Sequence, residues 1–333
     1  MMKRDNRKYR HSYNETRQRA IIFDDDDDNA LPAPGSKSKD ATAGATAPAG
    51  AGDDSTWPMQ FASFGSGSSG NCAYLGNSRQ GILIDAGVDM THVFHDLAQN
   101  GISPSMIKGI ILTHDHSDHV RYVYRIVRQY KHIHIYCTPK LMNGLLRHHN
   151  ISRRVKDYQE PIFKEIPFHL AGMTITAFET SHDATDNMGF MIEGGGHRFV
   201  VGTDMGVITP RAEYYMRQAE YLMIESNYDR VMLDEGHYPE YLKNRVRAEK
   251  GHLDNKMAAQ FVGQIYSPEL KYVFLCHLSN DNNTPEIALN TMRAALEAGG
   301  ATVGDASFSP SQRDRDVQLY ALPRYETSTW FVL

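Results

Sequence analysis

The run HDHSDH, His114 to His119, follows the apolar stretch GIILT and limits what this 333-residue chain can fold into more than any other segment. Three imidazoles and a carboxylate leave a tight turn at a strand end and point into one small volume, a composition that solvated loops seldom collect. His182, Asp204 and His277 each lie just beyond another strand-like stretch: MTITAFETS, RFVVGT and YVFLC. Residues just past several strand ends of one sheet converge on a single edge, so seven positions spread over 164 residues become one site.

The donor types divide this set in two. His114, His116 and His182 supply three neutral nitrogens to one ion, Asp118, His119 and His277 bind a second, and Asp204 can bridge both. With no thiolate present, two divalent ions are expected, Zn2+ first and Mn2+ second; the residues alone do not choose between them. Two such cations about 3.5–4 Å apart depress the pKa of a shared water and offset charge on a phosphate or carbonyl oxygen, so the reaction class is hydrolysis.

This pattern resembles the metallo-β-lactamase superfamily, whose HxHxDH motif and later His, Asp and His ligands match the seven positions one by one. The likeness spans about Phe61 to Leu333. Within that superfamily FGSGSSGNC (Phe64 to Cys72), TSHD (Thr180 to Asp183), ESNYD (Glu225 to Asp229), GHLDN (Gly251 to Asn255) and CHLSNDNNTPE (Cys276 to Glu286) look like the YycJ/WalJ type. The resemblance implies an αββα sandwich and a nuclease-like phosphodiesterase, with 5′ to 3′ DNA exonuclease activity attributed to some members. In the related tRNase Z and β-CASP nucleases a Glu after a strand and a His in a GH motif stand beside the metals, and Glu225 and His252 occupy the matching places here. Glu225 is expected to favour the charged ring of His252, which then protonates the leaving alkoxide; the plainer alternative is a helix-cap carboxylate and a surface histidine. The catalytic candidates are therefore Asp118, Glu225 and His252.

Weaker signals surround the cluster. The GSGSSGN loop can present backbone N–H groups to a phosphate or be a simple hairpin, and Asn71 is its member to test. Ser279, Asn280 and Asn282 follow the last ligand and are candidate substrate contacts, although asparagine also suits a tight turn into the helix begun by Thr284 and Pro285. Asp183 can accept a hydrogen bond from a ligating ring or be solvated. The bulky pair Arg121-Tyr122 stands where glycine is common in the superfamily, which leaves substrate size open.

Composition sets the outer limits. Residues 57–333 are long enough for one large α/β domain, which the resemblance makes a metallo-β-lactamase-fold hydrolase. Residues 1–56 hold few apolar side chains, the block Asp24 to Asp28 and the run ATAGATAPAGAG, which reads as a disordered tail. No stretch approaches a membrane span and Met1 to Ala20 lacks the apolar core of a secretory signal, so the expected location is the cytoplasm. Cys72, Cys137 and Cys276 show no metal spacing and read as buried, reduced thiols.

Strands are expected at FASF, CAYLG, GILIDAG, HIHIYC, MTITAFE, GFMIE, RFVVG, YLMIES and YVFLC besides the one entering the motif. Helices are expected over Met90 to Asn100, Pro139 to His148, Thr209 to Gln218, Asn255 to Tyr266 and Pro285 to Ala298, with a further helix after the motif carrying Val120, Val123, Val127 and Tyr130 on its core face. Gly194-Gly195-Gly196 marks a hairpin. Mixed strands between amphipathic helices suggest two mixed sheets packed face to face and flanked by helices, an α/β fold of four layers.

Nucleic acid, DNA ahead of RNA, is the expected partner, yet charge argues weakly for it. The net charge is −5, and the first 56 residues, with nine basic and ten acidic side chains, leave about −4 for the rest. Local basic stretches exist at Arg121, Arg125 and Arg128, at Arg147 to Lys156, and at Lys243, Arg245, Arg247 and Lys250. The last, just before His252, is the expected backbone guide, with Tyr228 and Tyr238 as candidate stacking groups. A small-molecule thioester, lactone or cyclic phosphodiester hydrolase, and a non-catalytic metal-binding regulator, are the competing expectations; the oligomeric state is left open.

Overall fold

The computed structural model describes residues 57–307 and 309–333. The tail expected over residues 1–56 lies outside the described residues. From the first half of the chain come β1 (Gln60–Gly65), β2 (Cys72–Gly76), β3 (Gly81–Ile84), β4 (Ile107–Ile111), β5 (His134–Cys137) and β6 (Gln159–Pro161). The second half supplies β7 (Phe168–Leu170), β8 (Met173–Glu179), β9 (Met188–Gly194), β10 (His197–Gly202), β11 (Tyr221–Glu225), β12 (Tyr272–Cys276), β13 (Val303–Gly304) and β14 (Val317–Ala321). A last short strand, β15 (Phe331–Val332), returns to pair with β1. Among the described residues these form two mixed sheets, ordered β15-β1-β2-β3-β4-β5-β6 and β13-β14-β12-β11-β10-β9-β8-β7.

The strands β10, β11 and β12 show why the sheets are covered on both sides. Phe199, Val201, Tyr221, Met223, Phe274 and Cys276 face the other sheet, while the alternate residues Val200, Leu222, Ile224, Val273 and Leu275 face helices. The inner face closes on aromatic rings, with Phe61 of β1 lying 4.9 Å from Phe199 and 4.7 Å from Phe274 between centroids. Helices α1 (Met90–Gln99), α2 (Ser117–Val120), α3 (Val123–Gln129) and α4 (Pro139–His148) belong to the first half. The second half adds α5 (Pro210–Met216), α6 (Arg230–Glu235), α7 (Glu240–Arg247), α8 (Asn255–Ile265) and α9 (Pro285–Ala298). Buried residues of α1, α3 and α4 join the core of the first sheet, and those of α5, α8 and α9 cover the second. The result is the αββα sandwich. Among the described residues no helix is long and apolar enough to cross a membrane.

Several local expectations hold at their capping chemistry. Thr138, Thr209 and Thr284 each accept a backbone N–H three residues on, and each precedes a proline in the first turn. Gly195 (φ 61°) and Gly196 (φ 87°) form the β9–β10 turn in the left-handed region. The helix after the motif is a correction: it breaks into α2 and α3 around Arg121 and Tyr122. The carbonyls of Asp118 and His119, which a continuous helix would offer to Tyr122 and Val123, instead accept from Asn71 N–H at 2.7 Å and Ala86 N–H at 2.7 Å. Loops of the first sheet thus take over the first-turn carbonyls and pin the motif.

Candidate metal centre

Each candidate ligand stands at the C-terminal end of a strand, and all those ends meet at one edge of the sandwich. His114 to His119 follow β4, His182 follows β8, Asp204 follows β10 and His277 follows β12. The donor atoms of His114, His116 and His182 lie within 4.8 Å of one another, as do those of Asp118, His119 and His277. Asp204 joins His114 and His119 in a third such group and Glu225, His252 and His277 in a fourth. The sandwich therefore brings together the two triads expected from donor types, with Asp204 between them.

The outer ring nitrogens are spoken for, which aims the inner ones at a common centre. His119 Nδ1–H donates to Asp85 Oδ2 at 2.7 Å, His182 Nδ1–H to Gly251 O at 2.9 Å and His277 Nδ1–H to Glu225 Oε1 at 3.1 Å, while His114 Nδ1 is 3.1 Å from Thr113 Oγ1. His114 Nε2 and His277 Nε2 are buried with no hydrogen-bond partner. His116 turns Nδ1 inward, 3.2 Å from His182 Nε2. A buried, unpartnered imidazole nitrogen in each of the two triads fits a divalent cation.

Charge follows the same division. Burial pushes His114, His116 and His182 down, His182 to about 4, so these rings are neutral donors. Burial also opposes charge on His119 and His277, but the neighbouring carboxylates outweigh it: Asp85 and Asp204 hold His119 well up, and Asp204 with Asp118 and Glu225 holds His277 up to about 10. Asp204 is buried and Asp118 partly so, which alone would raise them, yet the histidines beside them keep both below the carboxylate range. A divalent ion at this second triad would take the place of protons held there.

Backbone strain marks the same positions. Asp85 (φ 60°), Asp204 (φ 53°) and His277 (φ 54°) all adopt the left-handed region just past a strand. For a residue with a Cβ this costs on the order of 1–3 kcal/mol, so neighbouring contacts must hold it. His277 N–H donates to Ser66 Oγ at 2.9 Å and Asp85 N–H to Ile111 O at 2.9 Å.

Glu225 ends β11 fully buried. Its Oε2 accepts from Met205 N–H at 2.8 Å and Leu253 N–H at 3.1 Å, and its Oε1 accepts from His252 Nδ1–H at 2.7 Å as well as from His277. Burial would raise its pKa, but the facing His252 and these hydrogen bonds lower it. His252 is partly exposed, so its Nε2 edge can meet a substrate while Nδ1 is held.

Other sequence candidates fall in different places. Asn71 reaches the cluster: its Nδ2 lies 2.9 Å from His119 Nε2 and 3.2 Å from Asp118 Oδ2. Ser279, Asn280 and Asn282 instead build the turn entering α9. Ser279 Oγ accepts from Asn282 N–H at 3.2 Å, Asn280 donates to Asp281 and the Asn282 carbonyl accepts from Asp229 N–H. Among the described residues no hydrogen bond ties Asn280 or Asn282 to the ligands. Asp183 Oδ1 lies 3.6 Å from His116 Nε2 and 3.5 Å from His182 Nε2, and its Oδ2 accepts from Arg245 Nε at 2.8 Å. The two arginines of the basic stretch before His252 are charge-paired, Arg245 with Asp183 and Arg247 with Asp234 and Glu240, while Lys243 donates to the Asp234 carbonyl. Tyr228 is buried, so it is core rather than a stacking group, and Tyr238 donates to Asp281. Cys72, Cys137 and Cys276 are free, buried thiols.

Asp85, Asn227 and Gly87 escaped the sequence reading. Asp85 accepts from His119 and from both the N–H and hydroxyl of Thr113. Asn227 Nδ2 donates to His277 O at 2.7 Å. A Cβ on Gly87 would stand 1.6 Å from the Asp118 carbonyl oxygen. One cue for Asp85 was present, a carboxylate directly after an apolar strand in GILIDAG, the same placement as Asp204. Beside Glu225, residues of the ESN, LDN and NNT segments serve packing: Ser226, Asn255 and Asn283 form a buried network with bonds of 2.6 to 2.9 Å.

Residues 80–277 match the Beta-lactamase superfamily domain. The chain is 31% identical over 249 residues, 74% of its own length and 93% of the relative's, to Exodeoxyribonuclease YycJ of Bacillus anthracis. It is 30% identical over 247 residues, 74% and 91% of the two lengths, to Exodeoxyribonuclease WalJ of Streptococcus pneumoniae. The solved structure of the metallo-beta-lactamase fold protein YhfI from Bacillus subtilis superposes with a TM-score of 0.59 at 14% identity, covering 81% of this chain and 99% of that one. Fold, sequence match and a cation-fitting edge agree: this chain belongs to the metallo-β-lactamase superfamily, as a metal-dependent hydrolase of the YycJ/WalJ type.

Proposed function

We propose that this hydrolase is a cytoplasmic DNA exonuclease that degrades a strand in the 5′ to 3′ direction with two divalent cations, zinc or manganese, at its site. His114, His116 and His182 would hold one cation and Asp118, His119 and His277 the other, with Asp204 shared. Cations there supply charge that lowers the pKa of water and offsets negative charge on a phosphoryl oxygen.

The observation that carries the phosphodiester reading is the Glu225–His252 pair at 2.7 Å. A sugar alkoxide leaves slowly unless protonated, whereas a thiolate or a lactone oxygen needs no strong acid. With Nδ1 bonded to Glu225, the Nε2 proton of His252 passes to O3′ as hydroxide attacks phosphorus and the P–O3′ bond breaks. A strand that begins with a 5′-phosphate releases a 5′-mononucleotide, and the shortened strand keeps a new 5′-phosphate. The exodeoxyribonuclease names of the two relatives, matched over 93% and 91% of their lengths, support DNA as the substrate.

The test is metal-loaded full-length protein on DNA labelled at either end. Immediate release of a labelled mononucleotide from the 5′ end is expected, and His252→Gln should lower turnover about 10²–10⁴-fold at unchanged metal content. Release from the 3′ end first overturns the polarity. No DNA cleavage, with a thioester hydrolysed equally by wild type and His252→Gln, overturns the nuclease assignment.

A further inference from the structure

The loop from Gly65 to Asn71 is gripped from outside by two arginines that come from distant parts of the chain. Arg324, beyond β14, lies across Gly67, where a Cβ would stand 3.0 Å from its Nη1. Its Nη1 donates to Leu278 O at 2.7 Å, its Nη2 to Ser68 Oγ at 2.7 Å and its Nε to Tyr325 Oη at 3.1 Å. Arg121, at the break between α2 and α3, donates from Nη1 to Ser69 O at 3.1 Å. A guanidinium carries five N–H groups, so both arginines keep donors to spare. Arg245 and Arg247 have carboxylate partners, but among the described residues no ion pair involves Arg121 or Arg324.

The inner side of the same loop touches the second ligand triad. Asn71 contacts Asp118 and His119, Ser66 accepts from His277 N–H, and Leu278, which Arg324 holds, is the residue after His277. Between the two arginines the N–H groups of Ser68 and Ser69 have no acceptor among the described residues. Ser69 Oγ is buried without a partner. Two anchored cationic forks and two free backbone N–H groups around a glycine-serine loop make a cradle for a multiply charged oxyanion.

We infer that this cradle binds the 5′-terminal phosphate of the DNA strand, one nucleotide from the bond being cut. The inference rests on the 5′ to 3′ exonuclease reading and specifies the end that it acts on. A terminal phosphomonoester carries about −1.5 to −2 charge at neutral pH and three acceptor oxygens, which suits two guanidiniums better than the single charge of an internal diester. Every cut leaves a new 5′-phosphate, so a strand that begins with a 5′-hydroxyl is disadvantaged only in its first cleavage.

The experiment compares otherwise identical 5′-phosphorylated and 5′-hydroxyl DNA with metal-loaded full-length wild type, Arg324→Met and Arg121→Met, following the first product, a mononucleotide from the phosphorylated strand and a nucleoside from the hydroxyl strand, and the later mononucleotides. Wild type is expected to cut the first bond of the phosphorylated strand about ten- to a hundred-fold faster and to show a lag on the hydroxyl strand, with equal rates afterwards. Arg324→Met should abolish that ratio and the lag. Equal first cuts by wild type overturn the inference while leaving the exonuclease intact, and this arm does not depend on the folding of any variant. A ratio retained by both folded variants overturns it as well. Wild type that cuts neither strand defeats the exonuclease reading itself, a result distinct from the other two.

Discussion

Replacing Asp85 by Asn probes the site through a residue that touches no substrate. Asp85 is 2% exposed, its Oδ1 accepts from Thr113 N–H at 2.8 Å, and its Oδ2 accepts from Thr113 Oγ1–H at 2.8 Å and His119 Nδ1–H at 2.7 Å. An asparagine keeps the shape. Its oxygen is required by the Thr113 N–H, so the amide NH2 takes the place of Oδ2 and faces two donors. His119 then either loses its charge-assisted bond or flips tautomer, which puts a proton on Nε2, the nitrogen aimed at the second triad. Losing a buried hydrogen bond to a charged group costs about 1.5–3 kcal/mol, equivalent to about a 10- to 150-fold weaker cation at Asp118, His119 and His277. The His114, His116 and His182 triad meets Asp85 only through the Thr113 hydroxyl and should change much less. Chelator competition with zinc or manganese, with bound metal counted at each step, should show one of two steps weakened. Two unchanged steps, or two steps weakened equally in a protein with an unaltered melting curve, would refute the assignment of His119 to a separate triad.

Gly87→Ala places a methyl 1.6 Å from the Asp118 carbonyl oxygen and 2.9 Å from Asn71 N, so the motif turn must shift; metal retention at the second triad should fall by about tenfold in the same titration. Phe61→Ala removes a ring packed between Phe199 and Phe274 at the centre of the inter-sheet core and should cost about 3–5 kcal/mol in denaturant unfolding of the metal-free protein. Asp186 is buried, which would raise its pKa, but Lys164 at 2.8 Å and Thr138 at 2.6 Å hold it below the usual carboxylate range. A depressed folded-state pKa contributes stability that is present above the unfolded value near 4 and lost as pH falls through the folded value. Asp186→Asn should therefore unfold more readily than wild type at pH 7 by about 1–3 kcal/mol, with the gap closing as pH falls through the depressed folded-state value; a gap independent of pH would contradict the ion-pair account.

The strand-end placement of His114, His116, Asp118, His119, His182, Asp204 and His277 was legible because the first four share one apolar run and the other three each follow their own, and strands ending at one edge leave few other ways to arrange them. The division into a three-nitrogen group and an aspartate-containing group was legible from donor chemistry and meets two separate clusters. Short strands were not: β6, β7, β13, β14 and β15 span two to five residues, too few for a period-two pattern, and they exist through pairing with neighbours distant in the chain. The break at Arg121 was hidden because the competing donors, Asn71 and Ala86, lie 47 and 33 positions before the carbonyls they take. The basic run before His252 illustrates the reverse case, in which a visible charge pattern is consumed by Asp183, Asp234 and Glu240.

By itself the sequence determined the chemistry available to this protein: which side chains are donors, the apolar runs that carry them, and the helix and turn signals between. Tertiary structure alone decided how those donors are held. Asp85 behind His119, Glu225 between His252 and His277, the left-handed backbone at three strand ends and Arg324 across Gly67 are all contacts between residues far apart in the chain. The reason is physical. A side chain's type is intrinsic, but its charge, tautomer and direction depend on burial and on neighbours that only the packed sheets bring within hydrogen-bond distance.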